Sequence, residues 1–120
     1  WELARAKGNG TFSIHDWIDG VGPQVLVAGA SKQARSALAA VNRVLVQRVQ
    51  QLTLDYAKRN ARSGRRTWFF LDEFPALGSI PGLEELLTEG RRRGVCVVLG
   101  LQHVSHARKY YGDLPNAVLG

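Results

Sequence analysis

Asp72 and Glu73 are adjacent carboxylates that follow directly on the apolar run Trp68-Phe69-Phe70-Leu71. A nucleoside triphosphatase uses such a pair. One carboxylate holds the water shell of a Mg²⁺ ion, and the next orients and polarises the attacking water. That chemistry puts Asp72 on the metal side, through water, and Glu73 on the water side, the pattern of a Walker B strand. The plainer alternative is a strand ending in solvated acids, since an apolar run followed by Asp-Glu recurs by chance. Gln102 closes a second apolar run, Val95 to Leu101. A glutamine amide both donates and accepts, so beside an Asp-Glu pair it can sense a γ-phosphate or help place the water. Taken singly, it reads as a polar cap on a strand.

For these three side chains to meet, both runs must be neighbouring parallel strands with their carboxyl ends on one edge, where open α/β sheets bind ligands. Continuous apolar runs suit strands buried on both faces. The segment between them supplies the crossover. Phe74 to Gly82 holds two prolines and two glycines and predicts a shaped loop, not a helix. Leu83 to Glu89 reads as a short helix that Gly90 begins to break, followed by Arg91-Arg92-Arg93. Val104 to Tyr111 reads as a helix stopped by Gly112, and Asn116 to Leu119 as the start of a further strand.

Upstream, residues 1–10 form a polar lead-in. Ser13 caps a short helix over Ile14 to Ile18, with Asp16 in the place of the usual capping-box acid. Gln24 to Gly29 reads as a strand and Ser31 as an N-cap. From Lys32 to about Arg59, Ala34, Leu38, Val41, Leu45, Val49, Leu52 and Tyr56 recur at spacings of three and four. They form one apolar stripe on a helix on the order of 40 Å long that packs on the sheet. Its outer face carries Arg35, Arg43, Arg48 and Lys58. Strands alternating with helices imply an α/β fold with a mostly parallel sheet flanked by helices.

The 120 residues suffice for one domain at most. With 16 Lys+Arg against 10 Asp+Glu, the net charge of +6 suits a polyanionic partner. Cys96 is the single cysteine, which excludes an internal disulfide and fits a reducing compartment. No run approaches the roughly 18 apolar residues of a membrane span. The sequence lacks methionine and begins at Trp1, as expected of one partial domain, residues 1–120, from a longer protein.

The segment FFLDEFPALGSIPGLEELLTEGRRRGVCVVLGLQHVSHARKYYG resembles the type IV secretion coupling proteins, the TraD/TraG family of conjugative DNA-transfer ATPases. The shared pattern is a strand ending in DE, a loop, a helix ending in G-R, a strand ending in G-x-Q, and a helix closing on Y-G. The resemblance is specific from Trp68 to Gly112 and extends weakly upstream through Thr11 to Ile18. It implies a RecA-like P-loop NTPase domain that binds ATP and Mg²⁺. It also implies a homo-hexameric motor on the cytoplasmic face of the bacterial inner membrane, moving DNA with its relaxase toward secretion-channel proteins. By position, Asp72 and Glu73 match the Walker B pair and Gln102 the glutamine of the following strand. Arg91 matches a proposed arginine finger that reaches the neighbouring subunit's nucleotide, where it would neutralise charge on the γ-phosphate.

One departure limits this. No G-x-x-x-x-G-K-[ST] occurs, and Gly29-Ala30-Ser31-Lys32 lacks the spacing and the final Ser/Thr. The expectation is a Walker B half of the domain with the Walker A half absent, and an edge at Val95–Leu101 that is unpaired or pairs with another chain. Two alternatives stay open: a non-catalytic docking or DNA-binding module, and another translocase of the HerA/FtsK kind. His103 and His106 stand three apart on a helix without a third ligand, a weak metal signal, and His15 reads as a surface residue. The runs Arg62 to Arg66 and Arg91 to Arg93 can touch phosphates, yet no stacking aromatics are interleaved with them. Any DNA contact would therefore be to the backbone and strongly salt-dependent.

Overall fold

A computed structural model describes residues 12–29, 33–61 and 63–112. The expected lead-in, the Ser31 cap, Arg62 and the strand at 116–119 lie outside the described residues. Helix α1, Ile14–Asp19, starts as its sequence requires: the Asp16 backbone N–H donates to Ser13 Oγ at 3.2 Å. Helix α2, Arg35–Arg59, follows, then strand β1, Thr67–Leu71, and a 3₁₀ turn, Phe74–Leu77. Helix α3, Leu83–Arg92, leads into strand β2, Val95–Leu99, and helix α4, Val104–Tyr111, closes the described chain. Strands β1 and β2 pair in parallel, with Thr67 opposite Val95 and Leu71 opposite Leu99. The described residues thus form an α/β unit whose two-stranded parallel sheet is flanked by helices.

The core gathers Val49, Leu52 and Leu54 of α2, Ile18 of α1, Phe69 and Val95 of the strands, and Leu83 and Leu86 of α3, with Phe74 and Ile80 from the loop. Fully burying each such side chain contributes roughly 1.5–3 kcal/mol. The α2 stripe is covered only from Leu45 onward. Leu38 and Val41, nearer the start of the helix, are exposed, as is Val44 beside them. Among the described residues, the first turns of the helix therefore carry apolar side chains that the core does not cover.

Three expectations are corrected. Gln24–Gly29 joins no strand, although its composition is β-favouring. A strand needs a neighbour's open edge, and here only Leu26 packs on the core while Val25 and Val27 stay exposed. Strand β1 is buried on one face, not two: Phe69 is 8% exposed, whereas Trp68 is 54% and Phe70 71% exposed. Those two rings stack on the open face at 5.9 Å. Gly90 does not break α3, which runs on to Arg92. It is buried against Val95, where a Cβ would come within 3.1 Å of the valine Cβ, so the helix continues because the smallest residue lets it approach β2.

Candidate functional site

The carboxyl ends of β1 and β2 carry the site. Gly100 N–H donates to Leu71 O at 2.9 Å, and Phe74 N–H donates to Gly100 O at 3.1 Å. In a regular parallel ladder the second bond would come from residue 73. One extra residue therefore bulges between the two bonds, and Asp72 and Glu73 occupy it. Glu73 absorbs the mismatch in the left-handed region, φ 50° and ψ 41°, the one non-glycine residue with positive φ among those described. Such strain persists only where the surroundings over-determine it, and it clusters at functional sites. Here a buried Phe74 followed by Pro75 in the 3₁₀ turn pins the far side.

Glu73 turns its side chain onto Gln102, whose Nε2 donates to Glu73 Oε1 at 2.9 Å. With Nε2 committed, the amide oxygen of Gln102 keeps its acceptor capacity. Asp72 lies beside them, exposed, with no hydrogen bond to a described residue. Its Oδ1 sits so close to Gly100 that a Cβ there would come within 2.7 Å of it. Glycine at 100 thus leaves room for the carboxylate. Asp72, Glu73 and Gln102 are brought onto one edge. Arg91 is not: α3 ends where β2 begins, so this exposed arginine is separated from the acids by the length of β2, roughly 16 Å.

The loop after the acids is held from two sides, by an arginine expected on the outer face of α2 and by the last tyrosine of α4. Arg43 of α2 donates from Nε to Leu77 O at 2.7 Å. Tyr111 of α4 donates its hydroxyl to Gly78 O at 3.0 Å and accepts from Ile80 N–H at 2.8 Å. Its ring lies 5.4 Å from that of Phe74. Burial pushes the Tyr111 hydroxyl pKa up from 10.0, against the lowering effects of the Ile80 N–H and the Arg43 charge. The one available signal was the Tyr-Gly ending of the last helix, which also marks Tyr111. Arg43 lay in the outer-face series of α2 and gave none.

His103 and His106 meet edge to face at 5.5 Å, but no group of three potential metal ligands exists among the described residues. No helix among them is long and apolar enough to cross a membrane. A concavity of about 520 Å³ opens at the other end of the sheet, between the segments that precede β1 and β2.

Residues 2–119 match the family model of the type IV secretion-system coupling protein DNA-binding domain. The chain is also 31% identical over 113 residues to the coupling protein TraD of Escherichia coli (strain K12), covering 90% of this chain. It spans only 15% of the length of that relative. No solved structure matches. A family match over nearly every residue, with the Asp-Glu edge and its glutamine inside it, means that the chain belongs to the type IV secretion-system coupling protein DNA-binding domain family.

Proposed function

We propose that this chain is the Walker B portion of an ATP-driven motor that moves DNA in conjugative transfer through a type IV secretion system. The observation that carries the reading is the 2.9 Å contact of Gln102 Nε2 with Glu73 Oε1, beside an open Asp72, on the carboxyl edge of two parallel strands. Asp72 fits a Mg²⁺ ion held through water, because magnesium sites use one or two carboxylates plus substrate phosphates and not an all-protein cage. Bound Mg·ATP would supply the phosphoryl group and its charge neutralisation. Glu73 would accept the proton of the attacking water, and Gln102 would hold the Glu73 carboxylate in place and report on the γ-phosphate. The phosphate cradle is the part that the residues here do not fit, since no Walker A sequence occurs. In this reading the cradle comes from another part of a RecA-like domain.

Arg91 supports a contact in trans. It is exposed and a strand length away from its own acids, so it could serve only a neighbour's nucleotide in a homo-hexameric ring. Such a ring would sit at the bacterial inner membrane and hand a relaxase-bound DNA strand to secretion-channel proteins. The test is Glu73→Gln in the intact protein, followed by DNA-stimulated ATP hydrolysis. Loss of the general base lowers turnover by roughly 10²–10⁴-fold, with ATP binding retained. An unaltered rate removes Glu73 from the chemistry.

A second reading is a DNA-binding module that kept the sheet without the catalysis. The family description, a DNA-binding domain, and the lack of a Walker A sequence favour it. Under that reading Glu73→Gln changes neither hydrolysis nor DNA affinity.

A further inference from the structure

Two arginine-bearing segments lie far apart in sequence, Arg65-Arg66 before β1 and Arg92-Arg93 before β2. The parallel register brings them together: Thr67 opposes Val95, and Thr67 N–H donates to Gly94 O at 3.1 Å. The cleft of about 520 Å³ at the amino ends of the strands is lined by all four arginines. Glu89 is the one carboxylate among its lining residues.

The four are not equivalent. Arg65 is structural: its Nη1 donates to Ile18 O at 2.7 Å and Gly20 O at 3.1 Å, and its guanidinium covers the Tyr56 ring at 4.9 Å. Arg93 pairs with Glu89 at 3.3 Å, and its buried Nε has no partner among the described residues. Arg66 and Arg92 are exposed on the rim, and their side chains have no hydrogen bond or ion pair to a described residue. Two fixed cations beneath two free ones make a surface for a polyanion, and guanidinium forks suit phosphate oxygens.

We propose that this cleft holds the phosphodiester backbone of a DNA strand, with Arg66 and Arg92 as the phosphate-contacting residues. The lining selects backbone over bases, because the Tyr56 ring that could stack on a base is already covered by Arg65. The cleft also stands at the opposite end of the sheet from Asp72 and Glu73, so bound phosphates are kept about 16 Å from the acids that would repel them. The proposal rests on the DNA-handling part of the proposed function and is independent of ATP hydrolysis.

The test is fluorescence anisotropy of a labelled single-stranded oligonucleotide with the intact protein, titrated between about 50 and 200 mM salt. The variants are the pairs Arg66→Ala with Arg92→Ala and Arg66→Lys with Arg92→Lys. A control pair, Arg48→Ala with Lys109→Ala, removes the same charge from exposed helix positions elsewhere. Each lost contact to a single strand flattens the slope of log K against log salt by roughly 0.7, so the alanine pair should flatten it by about 1.4. If the salt lines converge near 1 M, that is an affinity loss on the order of tenfold at 0.15 M. The lysine pair should keep the slope, and the control should keep both slope and affinity. A native protein that binds with a steep salt slope while the alanine pair binds unchanged overturns the cleft and leaves the DNA reading standing. Equal flattening in the control pair also overturns the cleft, by showing that only total charge matters. A native protein that does not bind the oligonucleotide overturns the DNA reading together with the proposal.

Discussion

Glu73 carries its carboxylate on a backbone that resists it, and that conflict can be measured. A residue with a Cβ in the left-handed region costs about 1–2 kcal/mol, while glycine there costs only its extra unfolded-state entropy, about 0.5–1 kcal/mol. The informative pair is therefore Glu73→Ala against Glu73→Gly. Both lose the Gln102 contact, and the two differ only by the Cβ at φ 50°. The glycine variant should be the more stable by about 0.5–1 kcal/mol, the reverse of the usual order. At exposed Ala40 in α2, Ala40→Gly should cost about 1 kcal/mol, so the two sites should differ by roughly 1.5–2 kcal/mol in opposite senses. Urea unfolding followed by tryptophan fluorescence reads both. A Glu73→Gly protein less stable than Glu73→Ala would refute the bulge and the strain assigned to it. Under the proposed function neither variant would hydrolyse ATP, so the two would differ in stability alone.

Three further outcomes are expected. Gly100→Ala forces a Cβ to within 2.7 Å of Asp72 Oδ1 and 3.2 Å of Asp72 Cα, so the carboxylate must move; a destabilisation of about 1–3 kcal/mol should show in thermal melts. Gln50 of α2 is 2% exposed, and both amide atoms lack partners among the described residues. Gln50→Leu should therefore stabilise by about 1–2 kcal/mol, seen as a higher urea midpoint at unchanged slope, and destabilisation would mean that the amide is satisfied. Tyr111→Phe removes two hydrogen bonds and should cost about 1–3 kcal/mol. The raised Tyr111 pKa makes its contribution complete below pH 10.0 and lost as pH climbs through the folded-state value, so alkaline titration of stability should fall in the native protein and flatten in the variant.

Trp68-Phe69-Phe70-Leu71 and Val95 to Leu99 announced two parallel strands, and Asp72, Glu73 and Gln102 announced the edge, because an apolar run and its polar terminus are local facts. Ser13 as a cap and Gly112 as a stop were legible for the same reason. The run Gln24 to Gly29 misled, since β-propensity describes fit to a neighbour that the run does not itself contain. The open face of Trp68 and Phe70 was hidden likewise: a continuous apolar run cannot say which face receives a helix. The bulge at Glu73 depends on which amide meets Gly100 O, a long-range pairing that no residue type at position 73 discloses. The joining of the two arginine segments follows from register alone.

The stacked Trp68 and Phe70 have a consequence for how this chain survives before it is folded. Thr67 to Leu71 is a short, β-prone, uncharged segment with no proline, the composition of a sequence that stacks into fibrils. It is bracketed by Arg65-Arg66 on one side and Asp72-Glu73 on the other. Charges placed so close to such a strand act as gatekeepers, because in-register stacking would bring like charges together. Residues proposed for phosphate and water chemistry would thus also protect the nascent chain from self-association. Neutralising both flanks at once should raise its aggregation during synthesis even where the folded state is untouched.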